Sequence, residues 1–317
     1  MKEIGGYFQF ENLIKNEYHK DLVSLNTGRN ALIYVLKAKN IKKVFIPKYI
    51  CDSVINVLKR ENIEFEYFNI RKDFLPIFSK TLEKNEAILI VNCFGQLKNE
   101  KIKELKIKYK NIVIDNTQAF FQKPVQNVDT IYSCRKFFGV PDGAYASIDK
   151  KLNIELESDL SKDRFKHLLG RYEGEASDYY KEFKTNDKSF IDEPMKYMSK
   201  LTSNILGAID YEKIAEIRNE NFKYLHSFLK ESNKLNIKIP EVAFSYPLYL
   251  ENGEEIRERL LKYKIYVPTL WPNVLEENKK GTIEYKYSKN ILPIPCDQRY
   301  TAEDMKFIIE NIKKYLG

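Results

Sequence analysis

Residues 87–94 (AILIVNCF), 99–110 (NEKIKELKIKYK) and 111–115 (NIVID) decide the architecture. The first and third are short, nearly uncharged, β-branched runs, the pattern of strands buried on both faces. The stretch between them is highly charged, with Ile102, Leu105 and Ile107 on a helical face. Strand, helix and strand of these lengths imply a crossover connection and parallel pairing. Toward the N-terminus, residues 43–47 (KVFIP) and 64–70 (EFEYFNI) read as strands around a helix at 51–60, whose Val54, Ile55 and Leu58 share one face. Toward the C-terminus, residues 129–134 (DTIYSC) and 144–148 (AYASI) complete the strands. The fold class is α/β, a mainly parallel sheet covered by helices on both faces.

Beyond this core, residues 155–205 are charged and tyrosine-rich and read as helices and loops. Residues 210–230 carry Ile214, Ile217, Phe222, Leu225 and Leu229 at the spacing of a long amphipathic helix. A strand at 243–250 (AFSYPLYL), a helix at 254–263, a strand at 264–270 (KIYVPTL) and a helix at 302–316 follow. That succession reads as a smaller α+β unit. The chain accordingly divides into a large domain, 1–208, and a small one, 209–317, with the first twenty or so residues placed to pack on the small one. No repeat or low-complexity linker intervenes, so close packing of the two is expected.

With 317 residues, 43% hydrophobic and 13% aromatic, the chain is neither disordered nor a disulfide-dependent miniprotein. No uncharged apolar run approaches the ~18 residues of a membrane span. The opening MKEIGGYFQFENLIK mixes charges into its apolar residues, unlike a secretory leader. Cys51, Cys93, Cys134 and Cys296 show no CxxC spacing and read as reduced thiols of a cytoplasmic protein. The net charge of +8 is spread along the chain, so neither nucleic acid nor membrane is expected as a partner. A mild positive field still favours a phosphorylated or nucleotide-linked substrate. His19, His167 and His226 lack any paired metal spacing, and no metal site is expected. GxSxG, GxGxxG and GxxxxGK[ST] are absent too.

Four stretches at strand ends carry candidate chemistry, where open parallel sheets collect ligands. In residues 27–32 (TGRNAL), Gly28 opens a helix and lets backbone N–H groups approach an anion, with the Thr27 hydroxyl and Arg29 charge beside it. The alternative is an ordinary cap. Asp115 ends a strand, where a carboxylate can keep a ring nitrogen protonated, with Gln118 three residues on. The alternative is that Asp115 caps the next segment. Lys136 follows the strand 129–134 and precedes an aromatic, glycine-containing loop (FFGVPDG). A lysine partly desolvated beside other cations is a usable amine nucleophile, and Arg135 is next in sequence without its orientation being fixed; the alternative is a surface lysine. Residues 91–96 (VNCFGQ) either line a pocket or make a turn.

In this order, the stretches resemble the DegT/StrS family of pyridoxal-phosphate sugar aminotransferases, of fold type I, from about Leu25 to the C-terminus. TGRNAL is similar to the family's phosphate loop, and FIPKYICDSV to its strand with proline and a following aromatic. VNCFGQ resembles its HLFGQ-type strand end, with Asn92 where histidine is usual. IDNTQAF matches the Asp-x-x-Gln/His-Ala pattern, and RKFFGVPDGAY stands at the cofactor-lysine segment. Residues 218–222 (RNENF) resemble its RRxNY helix, and residues 292–305 (LPIPCDQRYTAEDM) its closing segment.

The resemblance implies a homodimeric aminotransferase with pyridoxal 5'-phosphate (PLP) as cofactor. It would move an amino group, from glutamate, to a nucleotide-linked keto-sugar in surface polysaccharide or lipopolysaccharide biosynthesis. Lys136 would form the internal aldimine and shuttle the proton. Asp115 would pair with the pyridinium nitrogen and Gln118 pack near the phenolic oxygen, while Thr27, Gly28, Arg29 and Ser133 would hold the phosphate. The family's phosphate serine precedes its lysine by five residues, whereas Ser133 precedes Lys136 by three. Cys51 stands where an aromatic usually stacks on the ring, which leaves Tyr49 or another residue to supply that packing. The family's dehydratases lack the lysine, so Lys136 favours amino transfer over dehydration. A third reading is a non-catalytic member that keeps the fold for binding or regulation.

Overall fold

The computed structural model describes residue 4 and residues 6–316. Eight strands form one sheet: β1 (Val23–Leu25), β2 (Lys43–Pro47), β3 (Glu64–Ile70), β4 (Pro76–Ile77), β5 (Glu86–Val91), β6 (Ile112–Asp115), β7 (Asp129–Ser133) and β8 (Ala144–Ser147). Their spatial order is β1-β8-β7-β6-β5-β2-β3-β4. The run from β7 to β3 is parallel, β8 is antiparallel to both neighbours, and β4 closes the far edge antiparallel to β3. The expected α/β class and mainly parallel sheet are what the structure has.

Three helices complete the crossovers: α1 (Gly28–Ala38), α2 (Asp52–Arg60) and α3 (Asn99–Tyr109). The path from β2 through α2 to β3 moves one way across the sheet, and that from β5 through α3 to β6 the other. Right-handed crossovers therefore place α2 and α3 on opposite faces and put a topological switch point between β2 and β5. Sheet strands covered on both sides must be apolar throughout, and Ile88, Leu89, Ile90, Ile112, Val113 and Ile114 are all at most 2% exposed. Each such side chain stabilises the fold by about 2 kcal/mol through removal of its surface from water. Helix α1 buries eight of its eleven residues, and the Thr27 side chain caps it by accepting from the Asn30 N–H. On α3 the buried face is Ile102, Leu105 and Tyr109. Ile107, expected on that face, is 81% exposed.

After β8 come α4 (Lys166–Glu173), α5 (Tyr180–Ser189), α6 (Lys200–Leu206) and the long α7 (Tyr211–Leu229), capped by Asp210. The chain then forms β9 (Tyr246–Tyr249), α8 (Gly253–Leu261), α9 (Pro272–Glu277), α10 (Ile283–Asn290), β10 (Ile291–Ile294) and α11 (Ala302–Lys313). A second core gathers Phe222, Leu225 and Leu229 of α7 with Leu248, Ile256, Leu260, Leu292, Met305 and Ile309. The expected strand at 264–270 does not form; β9 pairs instead with β10, antiparallel, Tyr246 opposite Ile294. The reason is local. Lys264 takes φ 56° and the Ile265 N–H turns back to the Leu260 carbonyl, closing α8. Pro268, further on, has no N–H to offer a ladder.

Helices α9 and α10 return to the large sheet. Val274 and Tyr287 join its core, the Ile70 N–H donates to Glu284 Oε1 at 2.8 Å, and Tyr287 Oη donates to the Lys72 carbonyl at 2.8 Å. The N-terminal segment runs along α6, where the Leu13 N–H meets Asn204 Oδ1 at 2.9 Å and the Asn16 N–H meets the Gly207 carbonyl at 2.7 Å. Tyr18 then enters a third, aromatic cluster around Phe120, Phe121, Phe137, Phe138 and Tyr211. That segment therefore packs on α6 of the expected large unit and, through Tyr18, on Tyr211 of the expected small one.

Candidate active site

Parallel pairing brings the carboxyl ends of β1, β2, β5, β6 and β7 to one edge of the sheet. The stretches bearing Thr27 and Gly28, Cys51, Cys93, Asp115, and Ser133 to Lys136 follow those ends in that order. Residues up to 109 positions apart in the chain thus meet for a topological reason.

Lys136 lies in the turn after β7, and its Nζ donates to Thr117 Oγ1 at 2.8 Å. Thr117 in turn donates its backbone N–H to Asp115 Oδ1 at 2.9 Å. Thr117 therefore links the amine, through its hydroxyl, and the carboxylate, through its backbone N–H, across the ends of β6 and β7. Asp115 is 6% exposed and Thr117 8%, and among the described residues the Thr117 N–H is the one hydrogen-bond donor to that carboxylate. Lys136 itself is exposed on the open side of the site. The Arg135 guanidinium, next in sequence, turns away to Asp187 at 3.3 Å and over the Phe190 ring at 5.0 Å.

Gly28 stands against this group. A Cβ there would meet Thr117 Cγ2 at 3.4 Å and Ser133 Cβ at 3.7 Å. The missing side chain leaves a hollow bounded by Thr117, Ser133 and the first turn of α1, whose N–H groups have no partner within the helix. Arg29 half-lines the same end and donates from Nη1 to the Phe190 carbonyl at 3.2 Å. Burial pulls the Arg29 pKa down, with Asp187 opposing. Burial does the same to Arg135, and Arg29 adds to it. Arg29 thus places one cationic group at this helix end, suited to an anion, while Arg135 is paired with Asp187.

Two thiols complete the floor. Burial raises the Cys93 pKa, Asp115 raises it further and Lys136 opposes. The Cys51 thiol is raised by burial too, while Ser53, whose Oγ lies 3.2 Å from its sulfur, and Lys136 pull it down. Both sulfurs sense the lysine, and at each of them burial disfavours the thiolate. Tyr49, considered for packing against a bound ring, is 1% exposed and locked against Trp271 at 5.1 Å, Phe74 at 6.0 Å and Tyr287 at 6.2 Å. Its ring belongs to the core.

Gln118 points to the end of β5, where its Oε1 accepts the Phe94 N–H at 2.8 Å. This holds a turn in which Phe94 (φ 55°) and Gly95 (φ 68°) are both left-handed. Asn92 is spent on structure. Its Nδ2 donates to Asn116 Oδ1 at 3.0 Å, to Gln122 Oε1 at 2.7 Å and to the Leu97 carbonyl at 3.2 Å, and its Oδ1 accepts the Leu97 N–H at 2.8 Å. VNCFGQ therefore makes a turn, and its Val91, Cys93 and Gln96 also line a cavity of about 420 Å³ together with Phe74, Leu97 and Lys238. Thr117 escaped the sequence reading, although a hydroxyl two residues beyond a strand-end aspartate was the available signal.

Among the described residues no group of three His, Cys, Asp or Glu could hold a metal ion, and no helix is long and apolar enough to cross a membrane.

No family model matches the chain, and no curated protein sequence does. Solved structures do. DesV of S. venezuelae, determined in complex with a ketimine intermediate, aligns over 93% of this chain and 84% of its own at TM-score 0.65 and 14% identity. A DegT DnrJ EryC1 StrS aminotransferase from Brucella abortus aligns over 93% and 86%, with TM-score 0.62 and 15% identity. NtdA from Bacillus subtilis, with bound cofactor PMP, aligns over 93% and 73%, with TM-score 0.66 and 15% identity. The chain has the fold of the DegT/DnrJ/EryC1/StrS aminotransferases, fold type I.

Proposed function

We propose that the protein is a PLP-dependent aminotransferase that transfers an amino group from glutamate to a nucleotide-linked keto-sugar, working as a homodimer. The observation that carries this reading is the chain Lys136 Nζ to Thr117 Oγ1 and Thr117 N–H to Asp115 Oδ1 beside the Gly28 hollow.

The residues fit the cofactor. The hollow at Gly28 has room that a Cβ would fill, with Ser133, Arg29 and the α1 amides around it, which suits a phosphate. Thr27, already bonded to the Asn30 N–H, fixes the loop more than it binds. Asp115 has one buried oxygen committed to a backbone N–H, so the carboxylate is aimed and available to a protonated ring nitrogen. Gln118 sets the Phe94 turn and so the wall of the site on the β5 side. PLP, when bound, supplies an electron sink that makes a substrate Cα–H acidic. Lys136 Nζ, on the open side, is the group to take that proton and return it, and its tether to Thr117 defines where it waits.

The solved structures support the class of reaction through the shared fold. The spread positive charge and Arg29 at the start of α1 support an anionic, nucleotide-linked sugar. Retention of Lys136 in contact with Thr117 favours amino transfer over dehydration and over a purely structural role. The direct test incubates the PLP-reconstituted protein with L-glutamate and follows 2-oxoglutarate and loss of the PLP absorption, then adds nucleotide-linked keto-sugars. The reading requires 2-oxoglutarate in an amount that matches the amino-sugar formed. Stable PLP binding with no amino transfer to any keto-sugar would overturn it.

A further inference from the structure

We propose that Arg218 and Gln298 are positioning residues for Lys136, two donors from the C-terminal part of the chain that clamp the backbone one residue beyond it. The inference rests on the reading of Lys136 as the reacting amine. Arg218 Nη2 donates to the Phe137 carbonyl at 3.1 Å, and Gln298 Nε2 donates to the same oxygen at 2.8 Å. Arg218 Nε donates to Gln298 Oε1 at 2.7 Å, which locks the pair together. Its Nη1 reaches the Ala243 carbonyl at 2.9 Å and the Phe244 carbonyl at 3.3 Å, and the guanidinium lies over the Phe137 ring at 4.6 Å.

Arg218 is 2% exposed, one of the largest fully buried side chains. Burial pulls its pKa down to about 10, with Asp297 opposing. Yet among the described residues no carboxylate hydrogen-bonds it; its acceptors there are backbone carbonyls and one amide. Filling the gap between α7 and the aromatic cluster needs only an apolar side chain, which is usually no less stable than a buried charge. A planar fork of donors does what an apolar residue cannot: it fixes several carbonyls at once. The turn at Lys136 is closed on its other side by the Phe137 and Phe138 N–H groups, which bond the Cys134 carbonyl at 3.0 and 2.9 Å. With both sides held, the Lys136 side chain leaves the backbone in the direction of Thr117. The clamp also ties α7 and the segment after β10 to the amine, so a movement of the small core reaches the site through one peptide unit.

The test measures acetylation of Lys136 by peptide mass spectrometry in the purified protein without PLP, with exposed Lys103 as internal reference. Arg218→Lys removes the fork, and Gln298→Glu keeps an acceptor for Arg218 Nε but cannot donate to the Phe137 carbonyl. Both are expected to free the amine from Thr117 and raise the rate at Lys136 about threefold to tenfold, the range for one lost hydrogen bond. Asn221→Ala is the structural control. It removes a bond to the Tyr300 carbonyl at 2.9 Å on the same α7 packing face, and is expected to lower the melting temperature without changing that rate. Unchanged Lys136 reactivity in both Arg218→Lys and Gln298→Glu, or an equal rise in Asn221→Ala, would overturn the proposal. In PLP-loaded protein the same two variants are expected to shift the pH midpoint of the cofactor's absorption. Failure of the wild type to take up PLP would count against the function proposed above, and the acetylation rates would still decide the clamp.

Discussion

His19 makes the stability of this protein depend on pH in a calculable way. Its ring is 4% exposed, lies 4.8 Å from Phe120, 4.4 Å from Tyr132 and 5.4 Å from Tyr145, and bonds the Phe120 carbonyl through Nε2 at 2.7 Å. Burial lowers its pKa from 6.5 to about 4, the carbonyl bond opposing and Lys123 adding slightly. A histidine with a depressed folded pKa binds fewer protons folded than unfolded between those two values, so stability falls as pH drops below 6.5. The full difference is about 3 kcal/mol, of which about 2 kcal/mol is lost by pH 5. His167 and His226 also have pKa values lowered by burial, so the effect must be isolated by difference. Urea unfolding of the wild type and of His19→Gln at pH 7 and pH 5 does so. The wild type should lose about 2 kcal/mol more than the variant over that interval. Equal losses would show that His19 is not held neutral in the aromatic cluster. Because that cluster also holds Phe137, acid should loosen the Lys136 turn before global unfolding.

Other substitutions probe the site and its frame. Thr117→Val keeps the methyl contact with Gly28 but removes the acceptor of Lys136 Nζ, and should weaken PLP retention about fivefold in equilibrium dialysis. Asn92→Ala strips four hydrogen bonds from buried partners and should cost about 2–4 kcal/mol in chemical denaturation. At Gly95, φ 68° and a Cβ position 3.1 Å from Pro240 Cβ predict that Gly95→Ala lowers stability by about 1–3 kcal/mol.

Much of the sheet was legible because its strands announce themselves by composition. Residues 43–47 and 64–70 match β2 and β3, β7 ends one residue short of the expected 129–134, and β6 starts one residue later than expected. Runs such as Ile88 to Val91 admit no other burial. The strand expected at 264–270 failed because apolar content there serves to close α8, a choice set by backbone geometry at Lys264 and invisible to a period count. Helices α9 and α10 were missed because their buried faces are short, Val274 on α9 and Glu284, Tyr287 and Ser288 on α10. At the site, position after a strand singles out Asp115 and Lys136 with a bland alternative for each, and Ser133 is assigned only through the family resemblance. Their neighbours could not be found in either way: Thr117 earns its place only through the 2.8 Å contact with Lys136, and Gln298 meets Phe137 across 161 residues. Asn92 and Gln118 looked like ligand groups but have been claimed, fully or partly, by the turn they stabilise.

The central claim is that the Lys136 amine reacts with the PLP aldehyde. Reduction of the PLP-loaded protein with borohydride, followed by peptide mass spectrometry, tests it most directly. The account predicts a single phosphopyridoxyl adduct on Lys136 that disappears in Lys136→Ala. An adduct spread over surface lysines, or none on Lys136 in protein that retains PLP, would contradict it.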